Sequence, residues 1–127
     1  MGARILVADD DAGIAGLLGD YLAEQGHEVL LVNNGYDLSQ KAVTHQPHLI
    51  ISDIIMPWAD GSSVYAVLQK DPGTKDIPII FMSGMTKEKL KDVLPTGPKV
   101  RFVPKPIDFD LLDKSVAELL PLGGFQE

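Results

Sequence analysis

The 127-residue chain contains no cysteine, which excludes disulfides and thiolate metal sites. No apolar run approaches the roughly 20 residues that span a bilayer, and the amino terminus lacks the charged-then-apolar pattern of a secretory leader. Basic residues are in deficit: 11 Lys and Arg stand against 18 Asp and Glu, a net charge of −7. That balance excludes a general electrostatic attraction to nucleic acid or anionic lipid. Cytoplasmic location, with no nucleic-acid and no membrane partner, is the expectation. What is present is 45% hydrophobic residues in a length that suits one ordinary core without staples.

Short apolar runs alternate with helical patterns. Ile5–Ala8 is followed by Ile14, Leu17, Leu18, Tyr21 and Leu22 at helical spacing, read as core-facing, with Gly26 as a helix stop. Val29–Val32 leads through Asn33-Asn34-Gly35 to a weaker helix from about Tyr36 to His45, stopped by Pro47. Leu49-Ile50-Ile51 ends at Ser52-Asp53, and Asp60 can cap a helix carrying Val64, Val67 and Leu68. Asp71-Pro72-Gly73 makes a turn before the run Ile77–Met82. Thr86–Leu94 is helical in pattern but is cut short by Pro95, Gly97 and Pro98. Val100–Val103 is a fifth run, and Asp108 caps a last helix to about Leu120, ended by Pro121. Five strand–helix units of this kind predict an α/β fold with a parallel sheet and right-handed crossovers. Near-continuous runs such as Leu49–Ile51 fit strands covered on both faces.

Ligands of an open α/β sheet bind beyond the carboxyl ends of its strands. The first strand delivers Asp9 and Asp10 there, the third Asp53, the fourth Ser83 and the fifth Lys105. Like charges crowded at about 4 Å repel by roughly 4 kcal/mol at an effective dielectric near 20, so a cation is expected among them. Carboxylates without histidine or thiol suit a hard divalent ion, and Mg2+ usually takes one or two carboxylates and leaves room for phosphate. A carboxylate can itself be the nucleophile, forming an aspartyl phosphate. Lysine, hydroxyl and Mg2+ supply the positioning and charge neutralisation that phosphoryl transfer requires. The loop DIIMPWADG turns at Pro57 and could present a backbone carbonyl to the metal.

The stretches ILVADDD, LIISDIIMPWADG, IPIIFMSG and FVPKPID occur in order, with 22 positions from Ser83 to Lys105. In these the chain resembles the receiver domain of bacterial two-component response regulators, of the single-domain kind typified by the chemotaxis response regulator. The resemblance implies a doubly wound, flavodoxin-like sheet of five parallel strands in the order 2-1-3-4-5 with five helices. The receiver would span 1–122, with 123–127 as a flexible tail beginning at Gly123-Gly124. It also implies roles. Asp53 would be the phosphoacceptor, and Asp10, Asp53 and the Ile55 carbonyl would bind Mg2+ directly, with Asp9 reaching it through water. Ser83 would hydrogen-bond the phosphoryl group, Lys105 would pair with it, and Phe102 would be the switch aromatic. Lys105-Pro106 is often cis in this family. The donor would be a phosphohistidine on a sensor histidine kinase or a histidine phosphotransfer protein. The output would be a protein target at the helix 4–strand 5–helix 5 face, with the domain a monomer or a phosphorylation-dependent dimer. The chain would not be an enzyme beyond assisting its own phosphorylation and dephosphorylation.

Two departures from the family stand out. The fourth helix is expected to be short or displaced because of Pro95 and Pro98, and Ile55 and Met85 are apolar where relatives place groups that position the hydrolytic water. Slow self-dephosphorylation follows. Asp11 reads as the cap of the first helix, Trp58 and Met56 as loop packing, and Lys87, Lys89 and Lys91 as a solvated face. His45 and His48 resemble a metal pair, but Pro47 separates them. Rival functions are a flavin or nucleotide binder, disfavoured because the first loop is Asp-Asp-Asp, and a metal-dependent phosphohydrolase, which would want a second acid pair beyond the lysine. A docking module that no longer takes phosphate, or a receiver cut from a hybrid kinase or transcription regulator, are the further alternatives.

Overall fold

A computed structural model describes residues 2–56 and 61–126. The expectations placed on Pro57, Trp58 and Asp60 lie outside the described residues. Five strands, β1 (Arg4–Ala8), β2 (Glu28–Val32), β3 (Leu49–Asp53), β4 (Ile79–Ser83) and β5 (Val100–Pro104), pair in parallel in the order β2-β1-β3-β4-β5. The register sets Ile5 beside both Val29 and Leu49, Ile50 beside Ile79, and Phe81 beside Phe102. The central strands β3 and β4 are buried along their whole length, while the edge strands β2 and β5 are only partly covered. Burial on both faces is why their sequences run apolar without alternation.

Helices α1 (Ala12–Glu24) and α5 (Phe109–Leu119) cover one face, and α2 (Gly35–His45), α3 (Gly61–Lys70) and α4 (Lys87–Val93) the other. Ile5, Val7, Ile51, Ile80 and Met82 point towards the α1/α5 layer with Leu18, Leu22 and Leu112. Leu6, Ile50 and Phe81, one residue out of phase, point towards Leu38, Val64, Leu68 and Leu90.

Helix ends follow side-chain chemistry. Asp11 caps α1, accepting from the Gly13 and Ile14 amides at 2.9 and 3.2 Å, as expected. Asn34, Thr86 and Asp108 cap α2, α4 and α5 in the same way. Gly26, just past α1, has φ of +93°, a left-handed conformation that suits glycine. α4 is short, as the prolines require: Leu94 is already extended, the conformation favoured before a proline.

Some expectations need correction. Leu17, read as core, is 54% exposed, because the inward stripe of α1 centres on Ala15, Leu18 and Leu22 and position 17 is rotated about 100° from Leu18. Val67 is exposed on α3 for the same kind of reason. α5 ends at Leu119, just before Pro121 as expected, but the chain continues in an unforeseen 3-10 turn, η1 (Leu120–Gly123). Residues read as a loose tail hold packed positions. Gly123 lies so close to the His48 carbonyl that no Cβ would fit, and Phe125 packs on the α1/α5-side core.

Candidate functional site

Each site residue is delivered by the end of a strand. Asp9 follows β1 and is fully buried, its amide donating to the Val32 carbonyl at 3.2 Å and its Oδ1 accepting from the Asp11 amide at 2.9 Å. Asp10, next along, is exposed. Asp53 closes β3 and is 9% exposed, with Oδ1 accepting weakly from the Ile55 amide at 3.3 Å. Ser83 closes β4 and is buried, its Oγ accepting from the Met85 amide at 2.9 Å while its carbonyl accepts from the Lys105 amide at 2.9 Å. Lys105 follows β5 at a cis Lys105-Pro106 bond.

The lysine draws these ends together. Its Nζ donates to Asp9 Oδ2 and to Asp53 Oδ2, both at 2.9 Å. Carboxylate oxygens of Asp9, Asp10 and Asp53 all lie within 4.8 Å of one another. One ammonium against three carboxylates leaves two negative charges in excess, the charge of a divalent cation. The donors are all hard oxygens, which fits Mg2+ and does not favour softer metals.

Electrostatics follow from burial and crowding. Burial raises the Asp53 pKa above the ordinary carboxylate value; the Lys105 bonds and charge oppose the rise, and the Asp9 charge adds to it. Burial alone would lower the Lys105 pKa, but hydrogen bonds and charge from Asp53 and Asp9 outweigh it and raise it. The lysine therefore stays charged at neutral pH.

Asp9, Asp10, Asp53 and Lys105 are thus brought together as the sequence predicts. Ser83 stands one residue beyond Met82, the register partner of Asp53. The Ile55 side chain is 60% exposed, and Met85 is half-buried. Phe102 is partly buried against the α2/α3/α4-side core. His45 and His48 belong to no cluster of three or more metal-ligating side chains among the described residues, and His48 Nδ1 accepts from the Arg4 amide. One feature of the surroundings was missed. A cleft of about 430 Å³ runs from Asp9 and Asp10 between α1 and α2, bordered by Asn33, Asp37 and Lys41. Nothing in their spacing announces it, because it arises only when α2 is laid beside α1.

The strand order turns around between β1 and β3, and in such sheets this switch point is where ligands bind. Fold and acid placement together define a domain of the doubly wound, flavodoxin-like α/β class. Sequence comparison narrows the class: the chain belongs to the response regulator receiver domain family, whose model matches residues 5–117. Protein PilH of Pseudomonas aeruginosa is 31% identical over 118 residues, covering 93% of this chain and 98% of that protein. The probable transcriptional regulator ycf29 of Pyropia yezoensis is 34% identical over 93 residues, 72% of this chain; the match spans 42% of ycf29, less than half its length. Among solved structures, the signal receiver domain of a signal transduction histidine kinase from Syntrophus aciditrophicus superposes with a TM-score of 0.86 at 28% identity, covering 99% of this chain and 96% of that one. Among the described residues, no helix is long and apolar enough to cross a membrane.

Proposed function

We propose that the domain accepts a phosphoryl group on Asp53 from a phosphohistidine donor and uses the modification to change a protein-binding surface. The observation that carries the reading is the lysine bridge: Lys105 Nζ at 2.9 Å from both Asp9 and Asp53, beside Asp10, in a pocket left with excess negative charge. Asp10, Asp53 and the Ile55 carbonyl would hold Mg2+, with Asp9 reaching it through water. When bound, Mg2+ supplies charge neutralisation and orientation for the phosphoryl oxygens.

The protein's own groups do the rest. The ionised Asp53 carboxylate attacks phosphorus, the P–N bond of the donor breaks, and the released imidazole takes its proton from water. Lys105, already at Asp53 Oδ2, moves its bond to a phosphoryl oxygen. Ser83 Oγ, now held by the Met85 amide, donates its proton to another. Moving that hydroxyl disturbs the end of β4 beside β5 and gives Phe102 room to turn inward. The α4–β5–α5 face then offers a different shape to a protein target. This is a local charge event biasing a two-state element. A sensor histidine kinase or a histidine phosphotransfer protein is the donor class, and the chain is a phosphoacceptor rather than a turnover enzyme.

Intact-mass spectrometry after acetyl phosphate treatment tests the reading. A single phosphoryl adduct is expected with Mg2+ and is lost without Mg2+ or in Asp53→Asn. A folded wild type that gains no adduct from acetyl phosphate or from phosphohistidine donors refutes it and leaves a docking module.

A further inference from the structure

β1 enters the sheet through two amides that are taken by imidazoles rather than by a neighbouring strand. The Ala3 N–H donates to His27 Nδ1 at 3.0 Å, and the Arg4 N–H donates to His48 Nδ1 at 2.9 Å. His27 immediately precedes β2 and His48 immediately precedes β3, so one imidazole closes each side of β1. His48 grips Arg4 twice, since its own amide also donates to the Arg4 carbonyl at 2.8 Å. A ring nitrogen that accepts carries no proton, so both rings must be neutral with the hydrogen on Nε2. Protonating Nδ1 sets a donor against a donor.

His48 also supports the end of the chain. Its ring meets Phe125 edge-on with centroids 5.5 Å apart, and Gly123 is packed on its carbonyl. From β1, the Arg4 guanidinium faces His48 while donating to the His45 and Gln46 carbonyls. From the end of α2 and the start of β2, His45 and Glu28 line a cavity of about 110 Å³ with Arg4. Among the described residues, η1 and the segment after it bring the uncharged Gly123 and Phe125. Among the described residues, no carboxylate forms an ion pair with His48.

We propose that His27 and His48 form an acid-sensitive clasp on the amino-terminal edge of the sheet, closed while both rings are neutral. Protonation opens it and frees the start of β1 and the Phe125 segment. Burial, then the Arg4 charge, hold the His48 pKa below its ordinary value. A histidine whose folded pKa is lowered contributes stability that is fully present above the unfolded value near 6.5 and is lost as pH falls below it.

The test compares thermal midpoints of the full chain and of His27→Asn/His48→Asn between pH 7.5 and 5.5, with amide exchange of the wild type over the same range. An asparagine amide oxygen can accept in place of Nδ1 but does not titrate. Wild type should lose several degrees on acidification and the double variant less than half as much, which cancels contributions from other groups. Wild-type Ala3 and Arg4 amides, corrected for intrinsic rates, should lose protection over the same interval. Parallel melting profiles overturn the proposal, as do Ala3 and Arg4 amides that stay protected at pH 5.5. If the double variant does not fold, the wild-type exchange decides alone.

Discussion

At the residue scale, Asp53 carries the tension of the site. Burial raises its pKa against the pull of Lys105, with Asp9 adding to the rise. A raised carboxylate pKa contributes stability that is present below the unfolded value near 3.9 and lost as pH rises through the folded one. Ionised Asp53 therefore weakens the fold at neutral pH. Asp53→Asn should melt a few degrees above wild type at pH 7 in the absence of divalent ions, because Asp9 still pairs with Lys105. The gap should shrink towards pH 4, as paired thermal melts would show. Ile55 and Met85 carry the second prediction. Polar side chains at both positions, Ile55→Asn with Met85→Glu, can hold and polarise the attacking water; the apolar pair cannot. The double variant should lose its phosphoryl group roughly a hundredfold faster, at the low end of general-base contributions, followed by mass after donor removal. The site acids were legible in the sequence because each follows an apolar run. The tie from Lys105 to Asp9 was not, since it spans 96 positions and depends on how the side chain lies across the rim.

At the scale of elements, strands were easier to read than helix faces. β3 and β4 announced themselves because burial on both faces leaves them apolar without alternation until their carboxyl ends, where Ser52, Asp53 and Ser83 stand. Leu17 misled because a leucine beside a helical stripe looks like part of it until the sheet shows which face is inward. Proline reasoning worked for α4 and for the end of α5; it left unread the 3-10 segment that follows, whose first turn a proline also fits. α4 has seven residues, one buried side chain, Leu90, and a Thr86 cap bond stretched to 3.4 Å. It should open locally before its neighbours. Its amides are expected to exchange at least about tenfold faster than those of α5, which buries Leu112, Ser115, Val116 and Leu119. Comparable rates in native-state exchange would show that α4 is held by more than these contacts.

At the scale of the whole molecule, the acidic rim concentrates part of a net charge of −7 at one end of the sheet. Binding a cation there should stabilise the entire fold by mass action, by about 2.7 kcal/mol at a hundredfold excess over Kd. For a domain of this size that corresponds to roughly 10 °C in the midpoint. Wild type should show this rise with Mg2+ and its reversal with a chelator, and Asp10→Asn should lose most of it. An unchanged midpoint in saturating Mg2+ would remove the cation from the scheme.

Gly2 lies so close to Gly26 that it has no room for a Cβ, and Phe125 leans on His48, so both ends of the described chain come to rest at the strand starts on either side of β1. The acids wait at the opposite pole. Whatever is tethered to either end, whether a tag, a surface or a longer polypeptide, leaves by the back door, and the approach to Asp53 stays open. The two ends also flank the same strand, so the molecule is topologically close to a ring, and a short bridge could join them while the exposed turn at Asp71-Pro72-Gly73 is cut instead.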